Sequence, residues 1–253
     1  MVACCARGIF VAGTAISARV WGKELSKNPA VFGDDELRKL RELSRVIRVP
    51  VPPTFRHSSE TFLAELVKWN RRINLISVRD EDRVVERHLL DSLCLLSVER
   101  DLSGKKLLDV GSGAGFPGVV LAMWEPNCQA VLVESKGKKV AFLNAIRRRL
   151  ALDNLRVVHS RVERLCEGKE IPWPVDLVVS RGVGGVVALA ALLGDVLDER
   201  GSFVLYKGAG AVEELRAGKT NVELKDLGFE VETVRPAWQK LTTLVVLRKV
   251  RCP

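Results

Sequence analysis

The apolar residues Leu37, Leu40 and Leu43 recur at helical spacing among charged neighbours, so the pattern predicts a short outer helix over residues 34–48. Pro50, Pro52 and Pro53 then break it and mark a linker. Phe62, Leu66, Trp69 and Ile73 fall on one face of a second helix, which Ser58 or Ser59 is placed to cap. Val85, Leu89, Leu93 and Leu96 repeat that face in a third, with Asp80 as its expected cap. After Ser103-Gly104 the period changes. Short apolar runs at 105–110, 130–134, 156–159, 175–180 and 202–206 read as strands, with helices at 118–124, 138–150, 186–197 and 211–217. Strands this short and apolar, alternating with helices, predict an α/β fold: a Rossmann-like, mostly parallel sheet covered on both faces. Residues 229–233 and 243–247 read as a terminal strand pair. The implied organisation is a partly disordered extension over 1–57, helices over 58–103 packed on the sheet domain, and that domain over 104–253.

Composition narrows the class. At 47% hydrophobic and 28% charged residues in a chain of 253, disorder and fibrous repeats are excluded. Forty Lys and Arg against 31 Asp and Glu leave a net charge of +9, which suits a polyanionic partner. The longest uncharged apolar run, residues 182–194, is too short and too rich in glycine to cross a bilayer, so no membrane span is expected. Six scattered cysteines with no C-x-x-C, and only three histidines, offer no zinc spacing and read as reduced thiols of a cytoplasmic protein. Arg7 followed by the uncharged residues 8–18 leaves three readings open: a weak secretory signal, a disordered extension, or an upstream start.

The chemistry concentrates at Asp109-Val110-Gly111-Ser112-Gly113-Ala114-Gly115-Phe116-Pro117-Gly118, which follows the first strand and opens a helix. That is where an α/β sheet holds nucleotides, and glycines there let the backbone approach the ligand. Gly113, Gly115 and Gly118 satisfy G-x-G-x-x-G, a pattern that by itself suits a dinucleotide. Asp109 discriminates. A carboxylate beside the first glycine repels a pyrophosphate and favours a sulfonium and amino group, hence S-adenosylmethionine over NAD. Glu134, ending the second strand, is placed to accept hydrogen bonds from both ribose hydroxyls, which either ligand requires.

Taken in order, Trp69-Asn70 with Asn74-Leu75, His88-Leu89-Leu90-Asp91-Ser92-Leu93, the glycine loop, Glu134-Ser135 with Lys138-Lys139 and Phe142-Leu143, Ser180-Arg181, and Lys207-Gly208 closely resemble the bacterial small-subunit ribosomal RNA guanine-N7 methyltransferases, the glucose-inhibited division protein B family. The resemblance covers residues 62–247. It implies a class I S-adenosylmethionine-dependent methyltransferase with a helical N-terminal extension, acting on N7 of one guanine of 16S rRNA near the decoding centre. It further implies that Gly111, Phe116, Glu134, Val162 with Glu163, and Arg181 hold the cofactor. Two departures stand out: Ser180-Arg181-Gly182 replaces the usual Ser-Arg-Ala, and Asn74-Leu75-Ile76 replaces Asn-Leu-Thr.

Guanine N7 offers a lone pair and carries no proton, so methyl transfer to it needs alignment and water exclusion rather than a general base. The end of the fourth strand agrees, having neither an Asn-Pro-Pro-aromatic motif nor a Pro-Cys nucleophile. Arg161 and Arg181 are the candidate catalytic residues, each able to donate to guanine O6 or to stack on the base plane while leaving N7 free. Asp91 and Ser92, on a helix expected to lid the crevice, and Lys138, Lys139 and Lys207 are candidates for substrate contact, with Asp91 also able to meet the methionine amino group. Lys136, Arg156 and the run Arg147-Arg148-Arg149 add positive charge suited to phosphates. Trp69 reads as core, while His57 and His159 carry no signal. The implied partner is 16S rRNA or the assembling small subunit, met by a monomer. Two alternatives stay open: an NAD-dependent oxidoreductase, and a non-catalytic RNA-binding assembly factor.

Overall fold

The computed structural model describes residues 32–167, 171, 174–208, 210, 215, 219–239 and 242–250. The N-terminal signal-like stretch, Cys4, Cys5 and Cys252 lie outside them, as does all but Leu215 of the helix expected at 211–217.

The chain alternates as the hydrophobic pattern requires. Strands β1 (Lys106–Val110), β2 (Gln129–Glu134), β3 (Leu155–His159), β4 (Val175–Arg181), β5 (Leu197–Lys207), β6 (Phe229–Val234) and β7 (Thr243–Lys249) form one sheet in the order β3-β2-β1-β4-β5-β7-β6. Only β7 runs antiparallel to its neighbours, inserted between β5 and β6. Alternate side chains feed opposite cores, as strand geometry demands. Leu107, Leu132, Leu177 and Val204 enter one, and Leu108, Val133, Val178 and Phe203 the other.

The first core is covered by α1 (Asp34–Ile47), α2 (Phe55–Asn70), α3 (Gly118–Trp124) and α4 (Gly137–Arg149), and the second by α5 (Val186–Leu193) and α6 (Lys219–Asp226). Aromatic pairs join the N-terminal helices to the sheet layer. Phe55 meets Trp124 edge-on with ring centroids 5.0 Å apart, and Phe62 lies 5.2 Å from Phe116. Each such fully buried side chain stabilises the fold by roughly 1.5–3 kcal/mol. Residues 32–102 therefore share a core with the sheet, and the boundary expected at residue 57 falls inside α2.

Four local expectations are corrected. α2 starts at Phe55 rather than at Ser58 or Ser59, because Thr54 already accepts the first helical bond and Ser59 is buried within the helix. Asp80 does not cap the next segment. Ser77 does, accepting the Arg79 amide, and Asp80 turns to Arg87 at 2.6 Å. The single helix expected beyond it is a series of tight and wide turns: Val78–Arg83, Val85–Leu90 and Leu93–Ser97. The helix expected to run to residue 197 ends at Leu193, and Leu197 already belongs to β5. No helix among the described residues is long and apolar enough to cross a membrane.

Candidate active site

The strand order reverses at β1, which has β2 on one side and β4 on the other, so the two crossovers diverge and leave a crevice at the strands' carboxyl ends. A cavity of about 560 Å³ occupies it. Its floor is the backbone of Gly111–Ala114, its rim Glu134, Ser135, Lys136 and Lys139, and its far wall Arg161, Val162 and Glu163. Leu75, Ile76, His88, Phe116, Arg181 and Val183 close the remaining side.

Gly111 has φ +70°, and a Cβ there would lie 2.3 Å from Val183 Cγ2, so both conformation and space demand glycine. The Glu134 carboxylate is buried and accepts the Gly113 amide at 2.9 Å and the Lys136 amide at 2.8 Å. Those bonds fix its orientation while leaving further lone pairs for a ligand. Asn70, in α2, accepts the Leu75 and Ile76 amides at 2.8 and 3.0 Å and so holds the strap that roofs the cavity.

Beyond Arg181 lies a second cavity of about 330 Å³, sharing His88, Arg181 and Gly182 with the first and otherwise lined by Asp80, Arg87, Asp91, Tyr206, Lys207, Gly208, Gln239 and Thr242. Arg181 is the partition. Its guanidinium sits 5.2 Å over the Phe116 ring, pairs with Asp91 at 3.2 Å, and donates to His88 Nδ1 at 2.7 Å. Burial and the neighbouring Arg181 push the His88 pKa down to about 4, so this ring is neutral at pH 7 and accepts the arginine's hydrogen. It stacks on Phe116 at 5.2 Å. Tyr206, the chain's single tyrosine, donates to the Ser92 carbonyl at 2.6 Å, and Gln239 donates to the Glu86 carbonyl at 3.0 Å.

Of the residues singled out in the sequence, Gly111, Gly113, Phe116, Glu134, Lys139, Arg161, Val162, Glu163 and Arg181 line the larger cavity; Asp91, Lys207 and again Arg181 line the smaller. Four are placed elsewhere. Asp109 is fully buried beneath the loop, where its Oδ2 accepts the Gly118 amide at 2.9 Å. It braces the loop from behind, and desolvation raises its pKa to about 7. Gly115, at φ +90°, serves packing: a Cβ would lie 2.6 Å from Val119. Ser92 is buried and donates to the His88 carbonyl at 2.6 Å, so it reaches no substrate. Lys138 is exposed beside the mouth and does not line it. Asp91 is corrected in part. One of its oxygens takes Arg181 and the other the Thr242 hydroxyl, and it lines the smaller cavity rather than the larger, where the methionine amino group was its expected partner. The sequence alone does not single out His88, Tyr206, Gln239 and Thr242 as site residues; of the four only His88 stands in one of the motifs, His88-Leu89-Leu90-Asp91-Ser92-Leu93.

The residues present fit S-adenosylmethionine: a glycine floor that leaves backbone open to a ligand, a buried carboxylate oriented by two amides, and the apolar Val162 and Phe116 on the walls. With the sheet order, they define the class, an S-adenosylmethionine-dependent methyltransferase of the class I fold. A methyltransferase structure from Geobacter sulfurreducens shares that fold, with a TM-score of 0.53 at 12% identity over 87% of this chain and 98% of its own. The sequence model of the GidB family, described as rRNA small subunit methyltransferase G, matches residues 56–240, and the chain belongs to that family. It is similar to ribosomal RNA small subunit methyltransferase G of Lachnoclostridium phytofermentans, 33% identical over 76% of this chain and 80% of the relative. The protein of the same description from Pseudomonas fluorescens is 36% identical over 74% and 83% respectively. Nothing in these relatives favours the dehydrogenase reading of the glycine loop.

Proposed function

We propose that this enzyme transfers the methyl group of S-adenosylmethionine to N7 of a guanine in 16S rRNA, on the free RNA or on the assembling small subunit. The observation that carries this reading is the state of the titratable groups between the two cavities. His88 is a weak base whose Nδ1 is engaged by Arg181, and Asp91 is held on both oxygens. A site whose candidate bases are committed to hydrogen bonds suits a nucleophile that has no proton to lose, and N7 is one.

S-adenosylmethionine supplies an electrophilic methyl on a sulfonium. The chain aligns and shields. Gly111 and Gly113 admit the cofactor to the backbone, Glu134 orients its ribose, and Val162 with Glu163 flanks the base. Arg181 serves both cofactor pocket and acceptor. Arg161, at the far wall, assists transfer, and Arg161→Ala lowers turnover more than cofactor affinity; lost S-adenosylhomocysteine binding in a titration with unchanged saturated turnover would remove that role. Lys139 and Lys207 at the two mouths, with the exposed Lys138, Arg147, Arg148, Arg149 and Arg156, attract RNA phosphates. Every residue assigned a role comes from one chain, which suits a monomer, and ribosomal RNA as substrate implies the cytoplasm.

The test is nucleoside mapping of 16S rRNA from a strain lacking the gene, with and without the gene restored. One N7-methylguanosine disappears and returns; persistence of every such nucleotide in the deletion overturns the assignment.

A further inference from the structure

Because Arg181 separates two adjoining cavities and is held by Asp91, which Thr242 holds in turn, we propose that the smaller cavity receives the target guanine, with Arg181 reading its O6 and Asp91 acting as a positioning residue that fixes and neutralises that arginine. This rests on the guanine-N7 reading above and adds to it where the base sits and what selects it.

The geometry runs as a chain of contacts from the last strand to the base. Thr242, just before β7, donates to one oxygen of Asp91, and the other pairs with Arg181 Nη1 at 3.2 Å. Asp91 and Arg181 expose only 8% and 21% of their side chains, so neither rotates freely into solvent. His88 Nδ1 takes Nη2 of the same guanidinium at 2.7 Å, and the Phe116 ring lies beneath it. An arginine gripped on both terminal nitrogens and backed by a ring presents its remaining hydrogens in a fixed direction, which is what recognition of a planar base edge requires.

Charge explains why a carboxylate must be paired with it. In the transfer the N7 lone pair forms the new N–CH3 bond as the C–S bond breaks. The leaving pair stays on sulfur, which becomes a neutral thioether, and the purine takes up the positive charge. A bare arginine within hydrogen-bond reach of O6 opposes that change. Asp91 offsets it, so the guanidinium can donate to O6 without raising the barrier. Enzymes that modify a base draw it out of the stack into such a pocket, and Lys207, whose Nζ is held by the Gly184 carbonyl at 3.3 Å, stands at the rim where the attached phosphate would pass.

The experiment is a double-mutant cycle between protein and base, using small subunits reconstituted with 16S rRNA that carries at the mapped position either guanine or 2-aminopurine, which keeps N7 and lacks O6. Wild type is expected to lose at least tenfold in kcat/KM on 2-aminopurine. Asp91→Asn loses at least tenfold on guanine and little more on 2-aminopurine, because the contact it supports is already gone. S-adenosylhomocysteine titration of both proteins separates any change on the cofactor side, which lowers the two bases alike, from loss of the base contact. Equal losses on the two bases, or wild type indifferent to O6, overturn the proposal while leaving methyl transfer itself standing. A wild-type enzyme that methylates neither base refutes instead the reading beneath it. Should Asp91→Asn not fold at the assay temperature, Arg181→Lys, which keeps the ion pair but loses the planar fork, enters the same cycle with the same two outcomes.

Discussion

The two sides of the active site are built on different principles. The floor of the larger cavity is one short segment, Gly111–Gly118, whose shape follows from backbone: positive φ, missing Cβ atoms, and amides bonded to Glu134 and Asp109. The smaller cavity, proposed for the acceptor, is made of side chains drawn from residues 80–91, the ends of β4 and β5, and the segment before β7. Its defining contacts join residues 90 and 151 positions apart. A local backbone device fails all at once when one atom is added, whereas a distributed cluster of polar contacts loses function in grades.

Variants sharpen that contrast. Gly111→Val, which forces a side chain into Val183 at a left-handed backbone position, is expected to weaken S-adenosylhomocysteine binding by more than a hundredfold in calorimetric titration. Binding within fivefold of wild type would show that the loop yields more easily than its contacts imply. Arg181→Ala leaves the buried Asp91 unpaired, so it is expected to cost about 3 kcal/mol of stability in urea unfolding and to depress turnover more than cofactor affinity.

The third variant concerns pH. Burial raises the Asp109 pKa from 3.8 to about 7, so the folded protein holds a proton that the unfolded chain releases, and stability falls as pH rises through that window. His88 has the opposite sign. Its pKa is depressed from 6.5 to about 4, so its contribution is lost as pH falls below 6.5. In wild type the two slopes oppose each other. Asp109→Asn removes the first, leaving a stability that rises between pH 4 and 6.5 and exceeds wild type at pH 8. Parallel profiles for the two proteins would show that Asp109 does not titrate there. The smallest effect belongs to Gln239→Ala, about 1 kcal/mol for one bond to the Glu86 carbonyl, with cofactor affinity unchanged.

The same division decides what could be read from the residues alone. The sheet strands announced themselves because each alternates between two cores, and the glycine loop because its residues are contiguous. Asp109 was identified by position but given the wrong partner, since nothing in a linear pattern tells whether a strand-end carboxylate faces the crevice or the helix behind it. The broken helix over residues 78–97 was invisible for a tertiary reason: the Ser92 carbonyl goes to the Tyr206 hydroxyl, and the Ser92 hydroxyl back-bonds to His88, loosening a regular ladder that apolar spacing predicts. Thr242 and Gln239 gave no signal because ordinary polar residues acquire their role only from the partners the fold brings to them.

The late position of the segment that holds Thr242 and Gln239 has a consequence for biosynthesis. A nascent chain emerging from its own ribosome has the complete glycine cradle long before the threonine that steadies Arg181 has been translated. A premature stop just after β5 yields a polypeptide with every residue of the donor pocket, but without the clamp on its arginine and without the strand that seals the sheet.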